Sequence, residues 1–348
     1  MTQKLFLNKT GLELFDIFRA FGLGFAIRGI SYEDIEVVIT DINYAYILDI
    51  EGEILNAPDP QLFIEAEPEW KNVFSTFRDR KDAKSRPPKE DVENIIKNEF
   101  ENIISLHRDI AFIPNIGKNV KEGKTLYQSL DISGAKGFRE EKKGNVYHEG
   151  TQVKVDKYSW AIGCLGAAIT GTWREGNDFK ITIVPNPYNI SIGSHRQILE
   201  EMGQEKLCNI SFSTTLAHFA VRLAEKIALR KYSYDMTYDS VVFNLEKKTS
   251  QQNKPGGGGK LGLGFLSALI DEDFGTEALK KFDQIFRSGF VKGAKQSLAL
   301  ALTDFLIHPT LDNFRRYEDL NIRGNINEHV LLWDRRELEA IMKHVQIV

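Results

Sequence analysis

Residues Gly117 to Thr125, GKNVKEGKT, come close to a phosphate-binding loop. Such a loop needs G-x-x-x-x-G-K-[ST], so that successive backbone N–H groups wrap a phosphate. The spacing here is one residue too long, because five residues separate Gly117 from Gly123. No helical stripe follows whose N-terminus would receive the anion. A second run, GGGGKLGLG from Gly256 to Gly264, also sets a lysine beside glycines, but neither Ser nor Thr follows Lys260. Histidines at 107, 148, 195, 218, 308, 329 and 344 form no HExxH and no H-x-E with paired cysteines, so they read as structural or surface groups. The acidic run Asp271, Glu272, Asp273 lacks the calcium-loop pattern and reads as capping or solvating a helix start near Gly275. Ser213 lacks the G-x-S-x-G elbow and reads as a helix N-cap. The motifs therefore assign no catalytic residue, metal ligand or cofactor.

What remains is local positive charge. Arg78, Arg80, Lys81, Lys84, Arg86 and Lys89 fall within twelve residues whose acids are Asp79 and Asp82. Lys118, Lys121 and Lys124 form a smaller group. From Lys226 to Lys260 seven basic residues face three acids. Overlapping that stretch, Lys247 to Gly264 reads as a flexible cationic loop. Lys247, Lys248, Lys254 and Lys260 supply its charge, and Asn253 has the amide needed to read a base edge. Gly256, Gly257, Gly258 and Gly259 leave bare backbone that would approach a polyanion closely. A hinge with no ligand is the bland alternative, as is a plainly solvated surface for the other charge runs.

The whole chain gives no such field. Lys plus Arg number 45 against 49 for Asp plus Glu, a formal charge of −4, so a polyanion site has to be local. Two cysteines, Cys164 and Cys208, are too few for a disulfide framework or a four-cysteine zinc site. Glu13 and Asp16 interrupt the apolar stretch near the N-terminus, against a signal peptide. The most apolar run, Trp160 to Thr172, is 13 residues, short of the roughly 20 that span a bilayer. The expectation is a cytoplasmic chain with no membrane segment.

The elements that must hold these groups read as α+β: a mixed α/β N-terminal part over 1–250, a Gly-rich loop and boundary over 251–264, and a C-terminal α-helical bundle over 265–348. IEVVIT and YAYILDI alternate as strands, with a bend at Glu51 and Gly52 returning through Leu55. Val92, Ile95, Ile96, Phe100, Ile103 and Ile104 form one helical stripe. Residues 114 to 157 show almost no periodicity. Phe179, Ile181 and Ile183 alternate as on a half-buried strand that Pro185 and Pro187 end. Helices follow from about Thr215 to Lys231 and through SLALALTDFLI, with a strand at VVFNL between them. Asp334 and Glu337 form a capping-box pattern ahead of Leu338, Ile341, Met342 and Val345.

In order, GLELFDIFRAFGLGFAI, WAIGCLGAAITGTWREGNDFKITIVPNP, NLEKKTSQQNKPGGGGKLGLGFLSAL and SLALALTDFLIHPTLDNFRRYEDL resemble the large subunit of type I CRISPR Cascade complexes. The resemblance implies a non-enzymatic subunit that recognises the protospacer-adjacent motif on double-stranded target DNA and helps to open the duplex. Its implied partners are crRNA, the Cascade backbone and small subunits, and a helicase-nuclease or transposition proteins. Pairing with the RNA would read the long sequence while protein side chains read the short motif. On that footing the Lys247 to Lys260 segment is the duplex sensor. Arg78, Arg80, Lys81, Lys84, Arg86, Lys118, Lys121 and Lys124 are second candidates, for phosphates or the crRNA 5′ end. Two rival readings stay open: a protein-only scaffold, and an enzyme of unrecognised family.

Overall fold

A computed structural model describes residues 2–74, 88–117, 119–131, 139–140, 145–146, 153–203, 206–229, 237–248, 254–325 and 333–346. The chain opens with β1 (Thr2–Asn8), α1 (Glu13–Arg28), β2 (Glu36–Asp41) and β3 (Ala45–Glu51). Strand β3 lies between β1 and β2 and is antiparallel to both, which makes a split β-α-β unit. Alternation sends Leu5, Leu7, Val37, Ile39, Tyr46, Leu48 and Ile50 into the core. The hairpin turn lies at Asn43, whose φ is 71° and whose N–H donates to Asp41 Oδ1 at 2.8 Å. The bend at Gly52 therefore ends β3, and no strand follows it through Leu55.

Helix α1 is buried on nearly every side, its charged Asp16 and Arg19 included, so it lies inside the molecule. It then passes α2 (Gln61–Ala66), a 3-10 turn (Glu67–Glu69), α3 (Trp70–Val73), α4 (Pro88–Asn98) and α5 (Phe100–Arg108). The apolar stripe expected as one helix is divided at Glu99. That carboxylate accepts from Lys157 Nζ at 2.7 Å and from Tyr158 Oη at 2.7 Å. The next stretch holds a small sheet of β4 (Ile116–Gly117), β5 (Lys124–Thr125) and β8 (Lys154–Val155), with β6 (Arg139–Glu140) paired to β7 (Asn145–Val146).

Helix α6 (Lys157–Thr170) is capped by Asp156, which accepts from Ser159 N at 2.8 Å. It crosses α1 where both helices carry glycine. A Cβ on Gly22 would stand 1.8 Å from Ile162 O, and one on Gly166 would stand 1.8 Å from Phe18 O. Only hydrogen fits between these backbones.

Strands β9 (Thr172–Glu175), β10 (Phe179–Ser191), β11 (Thr237–Lys247) and β12 (Lys254–Gly262) extend the main sheet in the order β1-β3-β2-β10-β11-β12, with β9 on β10. Pro185 and Pro187 do not end β10. The strand edge facing away from β11 pairs with β9 at Lys180–Ile183 and with β2 from Asn189. The prolines occupy the gap between those partners, where the ladder with β11 also slips. A missing N–H costs least in such a gap.

The glycine run is also not a loop where it is described, since residues 254–262 form the edge strand β12 along β11. Helices α7 (Ile192–Gly203) and α8 (Phe212–Leu229) precede the hairpin. After it come α9 (Gly264–Ile270), α10 (Gly275–Ser288), α11 (Ala294–Ile307), α12 (Leu311–Asn325) and α13 (Arg335–Met342). Ser211, not Ser213, caps α8 by accepting from Thr214 N at 3.1 Å. No side chain of the acidic run caps α10, whose N-cap is Phe274. Asp334 and Glu337 do form the capping box of α13. One cluster of buried side chains runs from Leu5 to Val345 and joins sheet to helices. Among the described residues no helix is long and apolar enough to cross a membrane.

Candidate nucleic-acid interface

Pairing between β11 and β12 brings part of the expected cationic group together. Lys247 stands opposite Lys254 at the tip of the hairpin, and Lys248 follows at once. Lys247 is exposed, and no acid among the described residues bridges it. Lys248 Nζ is 2.9 Å from Glu175 Oε2 and donates to Gly176 O at 3.0 Å. Lys260 lies at the other end of β12, opposite Val242, with its Nζ 3.5 Å from Glu13. Asn253 lies outside the described residues, as do Arg78, Arg80, Lys81, Lys84, Arg86 and Lys118. Lys121 is exposed between β4 and β5. Lys124, in β5, is bound to Asp91 at 2.8 Å and lies 5.5 Å from the Trp160 ring.

The glycines have two different causes. Leu245 pairs with Gly257 and Glu246 with Pro255, so Gly256 is an extra residue in the ladder. That is a β-bulge, a position that favours glycine. A Cβ on Gly256 would lie 2.8 Å from Leu245 Cγ, and Gly257 has φ +119°. The fold itself requires these two. Gly259 is merely tight, 3.3 Å from Phe243 Cζ. Among the described residues no strand covers the outer edge of β12, so its backbone is bare along Gly258 and Gly259. KPGGGGKLG carries no local signal of the bulge, because four consecutive glycines have no side chains to show a strand's period.

At the base of the hairpin lies a cavity of about 380 Å³, placed between the N-terminus of α1, the β2–β3 turn and the irregular part of β10. Residue spacing does not reveal it, because its lining comes from five separate stretches of the chain. Lys9 and Asp41 form an ion pair at 2.7 Å on one wall. Asp16, on α1, accepts from Thr10 N at 2.7 Å, Thr10 Oγ1 at 2.9 Å, Gly11 N at 3.1 Å and Arg19 Nη1 at 2.9 Å. Burial pushes the Asp16 carboxyl above its ordinary range, against the pull of Arg19 and those hydrogen bonds. Tyr46 donates to Asn186 Oδ1 at 2.8 Å. Burial, then the nearby Asp41, Asp16, Glu13 and Asp239, raise the Tyr46 hydroxyl far above its usual value and keep it protonated.

The buried histidines serve packing. His218 Nδ1 accepts from Cys208 N at 2.8 Å and Nε2 meets Asp283 Oδ1 at 2.9 Å, an arrangement that fixes the neutral Nε2–H tautomer. His195 stacks on Phe21 with ring centroids 4.1 Å apart and meets the Tyr238 hydroxyl at 2.6 Å. Among the described residues no group of three or more His, Cys, Asp or Glu is placed to hold a metal ion.

No family model matches the chain. It is 26% identical over 355 aligned residues to an uncharacterized protein of Archaeoglobus fulgidus, an alignment covering 98% of this chain and 97% of that one. The two are similar from end to end.

Proposed function

We propose that this chain is a non-catalytic, nucleic-acid-contacting subunit, and specifically the large subunit of a crRNA-guided type I Cascade complex. In that reading the β11–β12 hairpin meets duplex DNA at the protospacer-adjacent motif and helps to open it. The supporting observation is the hairpin tip, where Lys247 stands across from Lys254 beside a strand edge whose glycines put no side chain in the way of a phosphate backbone. The order of the four segments quoted above agrees with the same family. Partners in this reading are crRNA, the backbone and small subunits, and a helicase-nuclease or transposition machinery.

One set of observations favours a second reading, a protein-only scaffold. Lys248, Lys260 and Lys124 are each paired with a carboxylate, as lysines on an ordinary solvated surface are.

The test that separates them is purification of the tagged full-length chain from cells carrying its native operon, with sequencing of bound RNA and identification of bound proteins. Repeat-derived RNA with backbone subunits is the expected result. An RNA-free chain, or one bound to protein alone at every salt concentration, overturns the Cascade reading and leaves the scaffold.

A further inference from the structure

We propose that the cavity at the base of the hairpin is a docking site for an arginine of a partner protein, its guanidinium received by Glu13 and Asp239 and its main-chain carbonyl by Asn186. The cavity's polar groups differ in how much hydrogen-bonding capacity they keep. Asp16 is saturated by Thr10, Gly11 and Arg19, and Asp41 is held by Lys9 and the N–H of Asn43. Two carboxylates keep capacity. Glu13 has one loose contact, to Lys260 at 3.5 Å, and both of those side chains are half exposed. Asp239 accepts one side-chain bond, from Ser240 Oγ at 3.2 Å. The lining sets Lys9 and Lys260 against Glu13, Asp16, Asp41 and Asp239, so the excess charge is negative and favours a cation over a phosphate.

Asn186 supplies an independent observation. It is 5% exposed and lines the cavity. Its Oδ1 is used by Tyr46, while its Nδ2 donates to nothing among the described residues. That amide nitrogen opens on the cavity and has free capacity for an acceptor. A metal ion or a simple ammonium offers none. An arginine residue in a peptide offers both chemistries: a planar fork of N–H donors for carboxylates and a carbonyl for Asn186. Tyr188, 56% exposed at the rim, adds an aromatic face for the guanidinium or its stem. The inference does not depend on the nucleic-acid reading, since tip and base of the hairpin carry opposite charge.

The test titrates the full-length chain with Nα-acetyl-arginine N-methylamide by calorimetry, and follows the Asn186 side-chain amide by NMR. The neutral isostere, the citrulline derivative, and methylguanidinium, which has the head without the carbonyl, are titrated alongside. Saturable binding of the arginine derivative is expected, with a shift of the Asn186 amide. Binding at least tenfold weaker is expected for citrulline, for methylguanidinium, and for the arginine derivative with the Glu13→Gln, Asp239→Asn double variant. Thermal unfolding checks that this variant is folded, and its duplex-DNA affinity at about physiological salt should match wild type, which keeps this test separate from the proposed function. Equal binding of citrulline, unchanged affinity in the variant, or no saturable binding overturns the inference. Equal binding of methylguanidinium assigns the site to a free cation and overturns the peptide assignment.

Discussion

Replacing Gly166 by Ala poses two opposing effects of known size. In a helix interior alanine is favoured over glycine by about 1 kcal/mol, so propensity alone predicts stabilisation. Against it, the new Cβ would stand 1.8 Å from Phe18 O, where contacts under 3.0 Å are essentially never seen, so α1 and α6 must separate by at least 1.2 Å. The blocking atom is backbone and has no rotamer to escape into. A radial gap of 0.5–1 Å already forfeits a quarter to a half of a dispersion contact, and overpacking typically costs 1–3 kcal/mol. The clash wins, with a net loss of about 2 kcal/mol expected in equilibrium urea unfolding, the top of the overpacking range less the propensity gain. Gly22→Ala should cost about the same, since its Cβ meets Ile162 O at 1.8 Å. The two glycines share one contact, so the double variant should lose little more than either single one and the energies should not add. Gly24→Ala on the same helix is the control. Its nearest obstacle is Ile192 Cδ1 at 2.8 Å, the movable end of a side chain, and it should be close to neutral. A stabilised Gly166→Ala, or a double variant losing the full sum, refutes the shared crossing.

Acid should destabilise the fold through its buried histidines. Burial holds His107 down to about 4 and His195 to about 3, against an ordinary 6.5, so the unfolded chain binds protons that the folded chain refuses. Their contribution is complete above pH 6.5 and is lost as pH falls toward those values. Between pH 6.5 and 5 each loses about 2 kcal/mol, a window above the range where carboxylates with lowered values act, and an unchanged urea midpoint across it contradicts the assignment. Gly257→Ala should cost about 1–3 kcal/mol because φ +119° strains any Cβ, while Gly262→Ala, with nothing within 4 Å, should be nearly neutral by the same unfolding assay. If the hairpin tip contacts phosphates, the Lys247→Ala, Lys254→Ala double variant should lower the slope of log affinity against log salt by about 2 in duplex binding. An unchanged slope removes the tip from the interface.

Segments with a clean period were legible. The alternation in β2, β3 and β11, the stripe of α8 and the capping box of α13 each state a local rule that tertiary contacts did not overrule. The misreadings in the sheet share a physical cause, which is that Gly and Pro read locally as terminators. Pro185 and Pro187 lie inside β10 because a gap between two partner strands tolerates a missing N–H. Gly256 and Gly257 lie inside β12 because a bulge needs them. Whether a breaker residue breaks depends on what lies beside it, and that is not a local property. The cavity was illegible for the same reason, since Glu13, Tyr46, Asn186 and Asp239 meet only after the sheet has formed.

A net charge of −4 and four carboxylates at the base of the hairpin look at first like arguments against a phosphate contact at its tip. Distance decides the matter. From Lys254 to Lys260 the strand advances about 20 Å, at roughly 3.3 Å per residue. Charges in solution are screened over about 8 Å at 0.15 M ionic strength, so the acids at the base are more than two screening lengths from the tip. At that salt the tip acts as an isolated cationic site, and neutralising Glu13 and Asp239 leaves its affinity for a polyanion unchanged. At 0.01 M the screening length reaches about 30 Å, and the same carboxylates oppose the polyanion. The Glu13→Gln, Asp239→Asn variant should therefore bind duplex DNA like wild type at 0.15 M and more tightly at 0.01 M. Equal affinities at both salt concentrations would mean that the DNA does not sit on this strand.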